Sequence, residues 1–318
     1  MSNSDFSQID VPVETSQGVG TLFIKDVAKI DCALFDPTLG IIGQTWYVDV
    51  YLTGPLDDNG FVYDFSPLKA MIKNILASSF DHTTIIPVGS QSVQYGESDG
   101  LEHWQLRSKP RSGGEVLWSY VCPKNAVFPI RCVALKTLII EQEFSRILRH
   151  RLEAPIQNLS VKLREEATTP TEASYRYTHG ICGHKGLCQR LFHGHRSRIE
   201  VYVGEERRPD LEHYIVRDIF GSNVHIATLR QIKSGAEHFL ETGRRGISDA
   251  PVTLAFKGNL GYYEGILPAS RIFLVEQETS VECISREIAR VIKRDENTAE
   301  KIRIVCYEGI DKGAIAEI

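Results

Sequence analysis

The fold is decided by the stretch Gly194-His195-Arg196-Ser197-Arg198-Ile199-Glu200-Val201-Tyr202-Val203. Apolar and polar residues alternate from Ser197 onward, which predicts a β-strand with one buried face. A second stretch, Gly43-Gln44-Thr45-Trp46-Tyr47-Val48-Asp49-Val50-Tyr51-Leu52, aligns with it at an offset of 151 residues, from position 43 to position 194. The chain is therefore predicted to hold two copies of one domain.

Four further pairs of segments extend this repeat, with an offset that rises from 151 to 167 residues. Each copy is predicted to run strand, strand, helix, strand, helix, strand, and the copies are assigned to residues 1–155 and 156–318. The polar segment 165–172 is the alternative place for the boundary. The pairs are Asp64-Phe65 with Asp218-Ile219, Asp81-His82 with Glu237-His238, Glu115 with Glu282 (both opening helices), and Glu141 with Glu308 (both ending strands, Leu138-Ile139-Ile140 and Ile302-Arg303-Ile304-Val305).

Composition limits the class of protein. A chain of 318 residues that is 42% hydrophobic and 24% charged is typical of a globular protein with room for two domains. The net charge of -5 gives no reason to expect nucleic acid or a membrane as a partner. No apolar run approaches about 18 residues, and the N-terminus does not resemble a secretion signal, so a cytoplasmic protein is expected. The seven cysteines are expected to be reduced.

Histidines mark a candidate metal site at the start of the second alternating stretch. His193 and His195 are two residues apart, so on a strand both imidazoles point to the same face. With His179 as a third ligand, one coordination position stays open, which is typical of a catalytic zinc site. Alternatively, Cys182, His184 and Cys188 could join them in a closed, structural zinc site, which would recruit Cys182.

At these residues the chain resembles the 6-pyruvoyl-tetrahydropterin synthase and 6-carboxy-tetrahydropterin synthase family. The resemblance implies an α+β fold of two tandem tunnelling-fold domains, each an antiparallel β-sheet with two helices packed on one face. It also implies zinc on His179, His193 and His195. In the first copy the corresponding position reads Ile42-Gly43-Gln44, so that copy is expected to hold no metal.

The resemblance further implies roles for six residues. Cys188 is the expected base, and His82, oriented by Asp81, is the expected proton relay, contributed by the metal-free first copy. His238 is the counterpart of His82 in the second copy. Glu308 and Glu141, or Glu143 in place of Glu141, are expected to bind the pterin ring. The local positive charge for a triphosphate comes from four residues near the metal motif, Lys185, Arg190, Arg196 and Arg198.

The expected function is therefore that of a zinc-dependent lyase acting on 7,8-dihydroneopterin triphosphate. A 6-carboxytetrahydropterin synthase-like activity is the first choice and the phosphate-eliminating 6-pyruvoyl type the second. A hydroxymethyl-pterin product is disfavoured, because such members are understood to replace the cysteine by glutamate. Two alternatives stay open: a non-catalytic pterin-binding, metal-binding or assembly protein, and a zinc cyclohydrolase that releases formate from GTP. A homo-oligomer, either a trimer or a dimer of two-domain chains, is expected because open sheet edges tend to pair.

Overall fold

A computed structural model describes residues 18–110, 113–152, 156–240 and 244–318, which form three β-sheets and four α-helices. In chain order the elements are β1 (Val19–Asp36), β2 (Gly40–Pro55), α1 (Phe65–Ser79), β3 (Thr84–Pro87), β4 (Val93–Ser98), β5 (Leu101–Ser108), β6 (Val116–Pro123), β7 (Val127–Ile130), α2 (Thr137–Arg151), β8 (Asn158–Arg164), β9 (Ala173–His179), β10 (His193–Val203), β11 (Glu206–Arg207), α3 (Pro209–Tyr214), β12 (Asn223–Thr228), β13 (Ile232–Ser234), β14 (Pro251–Gly258), β15 (Gly261–Pro268), β16 (Ile272–Val275), α4 (Val281–Glu296), β17 (Ile302–Tyr307) and β18 (Gly313–Glu317).

Two of the sheets have the same strand order. The first sheet runs β7-β3-β1-β2-β8, and the second runs β16-β12-β9-β10-β17-β18, with β11 paired to β10. Each sheet has a central antiparallel pair, β1 with β2 and β9 with β10. The outer strands β3 and β7, and likewise β12 and β16, pair in parallel. The prediction of antiparallel sheets is therefore wrong for these outer strands, because β3 and β7, and likewise β12 and β16, are joined through three strands of another sheet that return the chain in the same direction.

The third sheet is shared between the two halves of the chain. Its order is β13-β14-β15-β6-β5-β4, so three strands come from each half. The halves join where β15 pairs antiparallel with β6, with Gly265 opposite Tyr120. One face of this sheet packs on the ends of the other two sheets, where Phe35, Trp118 and Phe192 share a buried cluster. Burial of this apolar surface holds the halves together.

Helices cover one face of each of the first two sheets. Leu68 and Ile72 of α1 and Phe144 of α2 share a buried core with alternate residues of β2, among them Val48 and Val50. In the second sheet α3 and α4 share the corresponding core with β9, β10 and β17. Asp64 caps α1, since its Oδ1 accepts a 2.9 Å hydrogen bond from the Ser66 amide.

Two sequence predictions of secondary structure are corrected here. The residues Leu138-Ile139-Ile140 lie in helix α2 and not in a strand. The segment Val116-Leu117-Trp118 belongs to strand β6 and not to a helix. Strand β8 pairs with β2, so a boundary at residue 155 would separate β8 from its own sheet. Within the described ranges, none of the helices combines the length and hydrophobicity needed to cross a membrane.

The first two sheets cross at a pair of glycines, Gly43 and Gly194, which are the positions aligned in the sequence repeat. A Cβ atom added at Gly194 would lie 2.7 Å from Cα of Gly43, and one added at Gly43 would lie 2.0 Å from the carbonyl oxygen of Tyr177. Real Cβ atoms do not approach other atoms so closely, and only glycine allows this contact. The crossing brings residues of β1 and β2 against the start of β10, where the candidate site lies.

Candidate metal and catalytic site

Three histidines meet at the end of β9 and the start of β10. His179 is the last residue of β9 and lies opposite His193 in the register, while His195 follows two positions along β10. The two-residue alternation therefore places both imidazoles of the His-Gly-His motif on one face, as the sequence predicts. All three side chains are fully buried, and their ligating nitrogens lie within 4.8 Å of one another.

The three imidazoles are held in one tautomer by acceptors behind them. Nδ1 of His179 lies 2.6 Å from the carbonyl oxygen of Thr279, and Nδ1 of His193 lies 2.8 Å from that of Arg190. Nδ1 of His195 lies 3.1 Å from Oδ1 of Asp31. Nδ1 of His179 and of His193 donates its hydrogen to these carbonyl oxygens, and Nδ1 of His195 faces a carboxylate. The tautomer with a lone pair on Nε2, towards the shared centre, is therefore favoured in all three. The Nε2 atoms of His179 and His195 are 3.2 Å apart, and that of His193 is buried without a partner.

Burial keeps two of these histidines neutral. Burial and the neighbouring His195 together lower the pKa of His179 to about 3. Burial also lowers the pKa of His193 well below the ordinary range for histidine. Neutral imidazole is the form that binds metals. Three buried lone pairs facing one point are thus a donor set that fits a divalent metal such as zinc, with room for a further ligand.

The proton relay reaches this cluster from the first half of the chain. His82 lies two residues before the start of β3, and its Nδ1 lies 2.9 Å from Oδ2 of Asp81. The ligand atoms of His82, Cys188 and His193 lie within 4.8 Å of one another. Burial lowers the pKa of His82, but hydrogen bonds to Asp81 and Cys188 outweigh this effect and raise it to about 10. His82 therefore carries a proton at neutral pH, held between a carboxylate and a sulfur atom.

Contacts between the halves fix the position of this relay. The guanidinium of Arg190 donates hydrogen bonds of 3.2 Å to the carbonyl oxygens of both Asp81 and His82. Next along the chain, the hydroxyl of Thr84 donates a 2.5 Å hydrogen bond to the carbonyl of Phe192, the residue before His193. Cys188 lies in a 3₁₀ turn, and its carbonyl accepts a 2.9 Å hydrogen bond from the amide of Ile181. Hydrogen bonds to backbone carbonyls thus hold His82, the Cys188 turn and the His193-Gly194-His195 motif in place relative to one another.

A carboxylate and a lysine complete the site. Glu308 follows β17, with its Oε1 4.0 Å from Nε2 of His195. Nζ of Lys312 lies 3.3 Å from Oε2 of Glu308 and 3.0 Å from Oδ2 of Asp31. Burial alone would raise the pKa of Asp31 and of Glu308, but His195 and Lys312 lower both. Both carboxylates are therefore ionised.

The sequence analysis did not identify Asp31, Thr45 or Lys312. Asp31 lies on β1 of the first half, and its Oδ1 accepts a 2.6 Å hydrogen bond from the hydroxyl of Thr45. Its one sequence signal is a carboxylate in the middle of an apolar strand, between Ile30 and Cys32. Nothing in that signal indicates a contact with a histidine 164 positions away.

The structure places Glu141 and His238 away from the histidine cluster. Glu141 lies in α2, where its Oε1 accepts a 2.9 Å hydrogen bond from the amide of Leu163 and ties the helix to β8. Its neighbour Glu143 pairs with Arg146 at 2.6 Å on the surface. Both are therefore engaged elsewhere. His238 lies in a short 3₁₀ turn, and in the described part of the chain it belongs to neither cluster of metal-binding groups.

The structure offers different counterparts for these residues. Ala33 lies opposite Gly43 and Thr84, and Thr178 lies opposite Gly194 and His225, so Thr84 corresponds to His225. The counterparts of Asp81-His82 in the second half are therefore Ser222-Asn223. By the same comparison of strands, Glu165 after β8 corresponds to Glu308 after β17. The second half therefore lacks the relay, just as the first half lacks the metal histidines.

The place in the first half where the metal motif would lie is filled by charged and polar side chains. Gln44, at the position that His195 takes in the second half, donates a 2.9 Å hydrogen bond to Oε1 of Glu165 and accepts one from Arg176. Arg176 in turn lies 3.0 Å from Glu165. An amide and a guanidinium do not ligate zinc, so the metal site of this half is replaced by a hydrogen-bonded network.

Other predicted residues lie apart from the two clusters among the described residues. Cys182 is absent from both, which disfavours the closed zinc site, and burial raises the pKa of its thiol to about 11. Of the four predicted basic residues, Arg196 and Arg198 pair with Glu165 and Glu166. Arg190 supports the relay, as described above.

Residues 40–94 match a family model described as 6-pyruvoyl tetrahydropterin synthase. The chain is similar to the 6-pyruvoyl tetrahydropterin synthase structure of Plasmodium vivax, with 20% identity and a TM-score of 0.38 over 48% of this chain and 95% of that one. The Plasmodium falciparum enzyme gives 19% identity and a TM-score of 0.37 over the same shares. The comparison with curated proteins gave no significant match. Since the matched segment contains Asp81 and His82, residues 40–94 confirm the resemblance of this chain to the 6-pyruvoyl tetrahydropterin synthase family.

Proposed function

We propose that this chain is a zinc-dependent pterin synthase-like lyase that acts on 7,8-dihydroneopterin triphosphate. The observation that carries the proposal is the meeting of His82, from the first half, with Cys188 and His193, from the second. Such a combination of a paired acid and base beside a metal-binding cluster is typical of a catalytic site. One complete site would then exist in each chain, built from both halves.

We also propose that the two halves are copies that have specialised. The shared strand order of the first two sheets supports this, as does the crossing at Gly43 and Gly194. The boundary is best placed in 165–172, between β8 and β9, because β8 pairs with the first sheet. The first copy supplies Asp81, His82 and Asp31, and the second supplies the metal ligands and the thiol.

His179, His193 and His195 would hold the zinc through Nε2. Zinc bound there would act as a Lewis acid on the side-chain hydroxyls of the substrate and stabilise negative charge that develops on them. Among the protein groups, Cys188 is placed to accept a proton from the substrate side chain, because the relay proton is already on His82. His82 can then return a proton, while Asp81 holds its ring in place.

The ionised Glu308 is proposed to bind the pterin. A carboxylate accepts two hydrogen bonds from adjacent NH groups, which fixes the orientation of a flat ring. Lys312 would balance its charge when the substrate is absent. A phosphate-eliminating activity of the 6-pyruvoyl type would belong to the carbon-oxygen lyase class. We propose the 6-carboxy product first and the 6-pyruvoyl product second.

We also propose that two-domain chains assemble into a dimer or trimer. Exposed sheet edges such as β18, where Ile315 is 65% exposed, would form the contacts between chains.

The test is turnover by purified protein freed of metal and reloaded with zinc. We expect triphosphate release with one zinc bound per chain, and a mass spectrum of the product that distinguishes carboxy from pyruvoyl pterin. The Cys188→Ala variant should lose activity by about 10²–10⁴-fold, whereas the Cys182→Ala variant, changed in the same loop, should keep it. Absence of triphosphate at every zinc loading would favour the non-catalytic alternative, and formate from GTP would favour a cyclohydrolase.

Asp31 provides a separate test of the metal site. Its carboxylate accepts the Nδ1 hydrogen of His195 and so orients that ligand and increases its basicity. The Asp31→Asn variant is expected to bind zinc about 10–100-fold more weakly, measured by competition with a chromophoric chelator. Asp49→Asn is the matched control, since Asp49 is also buried in the first sheet but pairs with Arg164 at 2.8 Å. Equal zinc affinity in both variants would contradict the role of Asp31.

A further inference from the structure

The buried triad is one of two overlapping groups of metal-binding side chains in the described residues. The first group is His179, His193 and His195, and the second is His82, Cys188 and His193. In each group the ligand atoms lie within 4.8 Å of one another. His193 belongs to both, and its ring centroid lies 4.3 Å from that of His179 and 5.1 Å from that of His82. One imidazole thus connects two neighbouring sets of ligands.

The two groups differ in their access to solvent. His179, His193 and His195 are fully buried, so an ion from solution cannot reach them without passing other side chains. His82 and Cys188 are partly exposed, with 15% of the His82 side chain open to solvent. The outer group therefore lies between solvent and the triad, and it shares a ligand with the triad.

The chemistry of the outer group suits the same metals. A thiolate and two imidazoles are ligands that zinc and cobalt accept, and three protein ligands leave a position open for exchange. Nε2 of His193 is buried without a hydrogen-bond partner, so it is available to an ion on either side. Only the neutral imidazole and the thiolate bind a metal, so an ion that enters the outer group would release to solvent the proton that His82 shares with Cys188 and would replace the hydrogen bond between them.

We propose that His82, Cys188 and His193 form a second metal site, which captures a divalent ion from solvent and transfers it to the buried triad. During transfer the ion keeps His193, gains His179 and His195, and gives up Cys188 and His82. The hydrogen bond between His82 and Cys188 then forms again. The inference uses the metal-binding part of the proposed function but not the pterin chemistry, so it stands or fails separately from catalysis.

Rapid mixing of the metal-free, full-length protein with Co²⁺ tests the proposal, since no substrate is needed. We expect a thiolate-to-cobalt charge-transfer band that appears first and decays as the spectrum of the three-histidine site grows. Cys188→Ser should abolish the early band and slow loading about tenfold, while the equilibrium affinity for Co²⁺ changes little. Cys182→Ser, in the same loop but outside both groups, should load like the wild type.

A second variant traps the ion at the outer site. With His179→Gln and His195→Gln together, the inner site is removed and the thiolate-to-cobalt band should persist at equilibrium. Addition of Cys188→Ser to this variant should remove the band. The proposal is overturned if the wild type shows no early band and Cys188→Ser loads at the wild-type rate. That result would be decisive even if the double variant failed to fold.

Discussion

Replacing Gly43 by alanine is expected to disrupt both the fold and the metal site. The new Cβ would lie 2.0 Å from the carbonyl oxygen of Tyr177 and 2.6 Å from the backbone nitrogen of His195. Backbone atoms cannot move aside as a flexible side chain can, so the two sheets must separate. Overpacking of a core typically costs about 1–3 kcal/mol, and this contact is closer than most. We expect the larger value, together with weaker zinc binding because His195 is displaced.

Urea unfolding of the metal-free protein measures this effect. Gly96→Ala is the matched control, because Gly96 also lies in a strand but has no heavy atom within 4 Å of the added Cβ. Its free energy of unfolding should change by no more than about 0.5 kcal/mol. If both variants unfold at the urea concentration of the wild type, the close crossing of the sheets is wrong.

Removal of the relay histidine should strongly lower catalysis without removing any ligand of the buried three-histidine group. His82 contacts Asp81 and Cys188, and the loss of a positioned acid or base typically lowers the rate about 10²–10⁴-fold. His82→Gln should therefore lower kcat/KM to this extent while the protein still binds one zinc per chain at equilibrium. The measurement is steady-state release of triphosphate.

His238→Gln is the control that separates the two halves. The sequence repeat pairs His238 with His82, but His238 lies 3.8 Å from Glu237 and in neither metal-binding group among the described residues. We expect wild-type turnover. An inactive His238→Gln protein beside an active His82→Gln protein would reverse the roles proposed for the two halves.

The sequence predicts the local part of this site well. His193 and His195 are linked by strand alternation, a rule that depends on neighbouring residues alone, and the structure places them as that rule requires. The repeat at Gly43 and Gly194 is a stretch of similar backbone, and it indicates two related strands before any contact is known. Both features can be recognised from short stretches of sequence and do not depend on how the elements pack.

The predictions that failed depend on the choice of element or on distant contacts. Leu138-Ile139-Ile140 is apolar and partly β-branched, which favours a strand over three residues. The longer spacing of Ile140, Phe144 and Leu148, all buried, is that of one helix face. An alignment that treats α2 as a strand pairs Glu141 with Glu308 and so places the two copies in the wrong register at this point. Asp31 could not be found because its partner, His195, lies on another sheet.

The third sheet determines whether the two halves of this chain can stay folded and soluble when they are separated. Strand β6 pairs with β5 on one side and with β15, from the other half, on the other. Cutting the chain between β8 and β9 would leave β6 and β15 as open edges with unpaired amides and carbonyls. Each fragment would need the other, or a second copy of itself, to close that edge. Each fragment expressed alone should therefore aggregate. Co-expression of the two fragments should give one soluble complex that contains both.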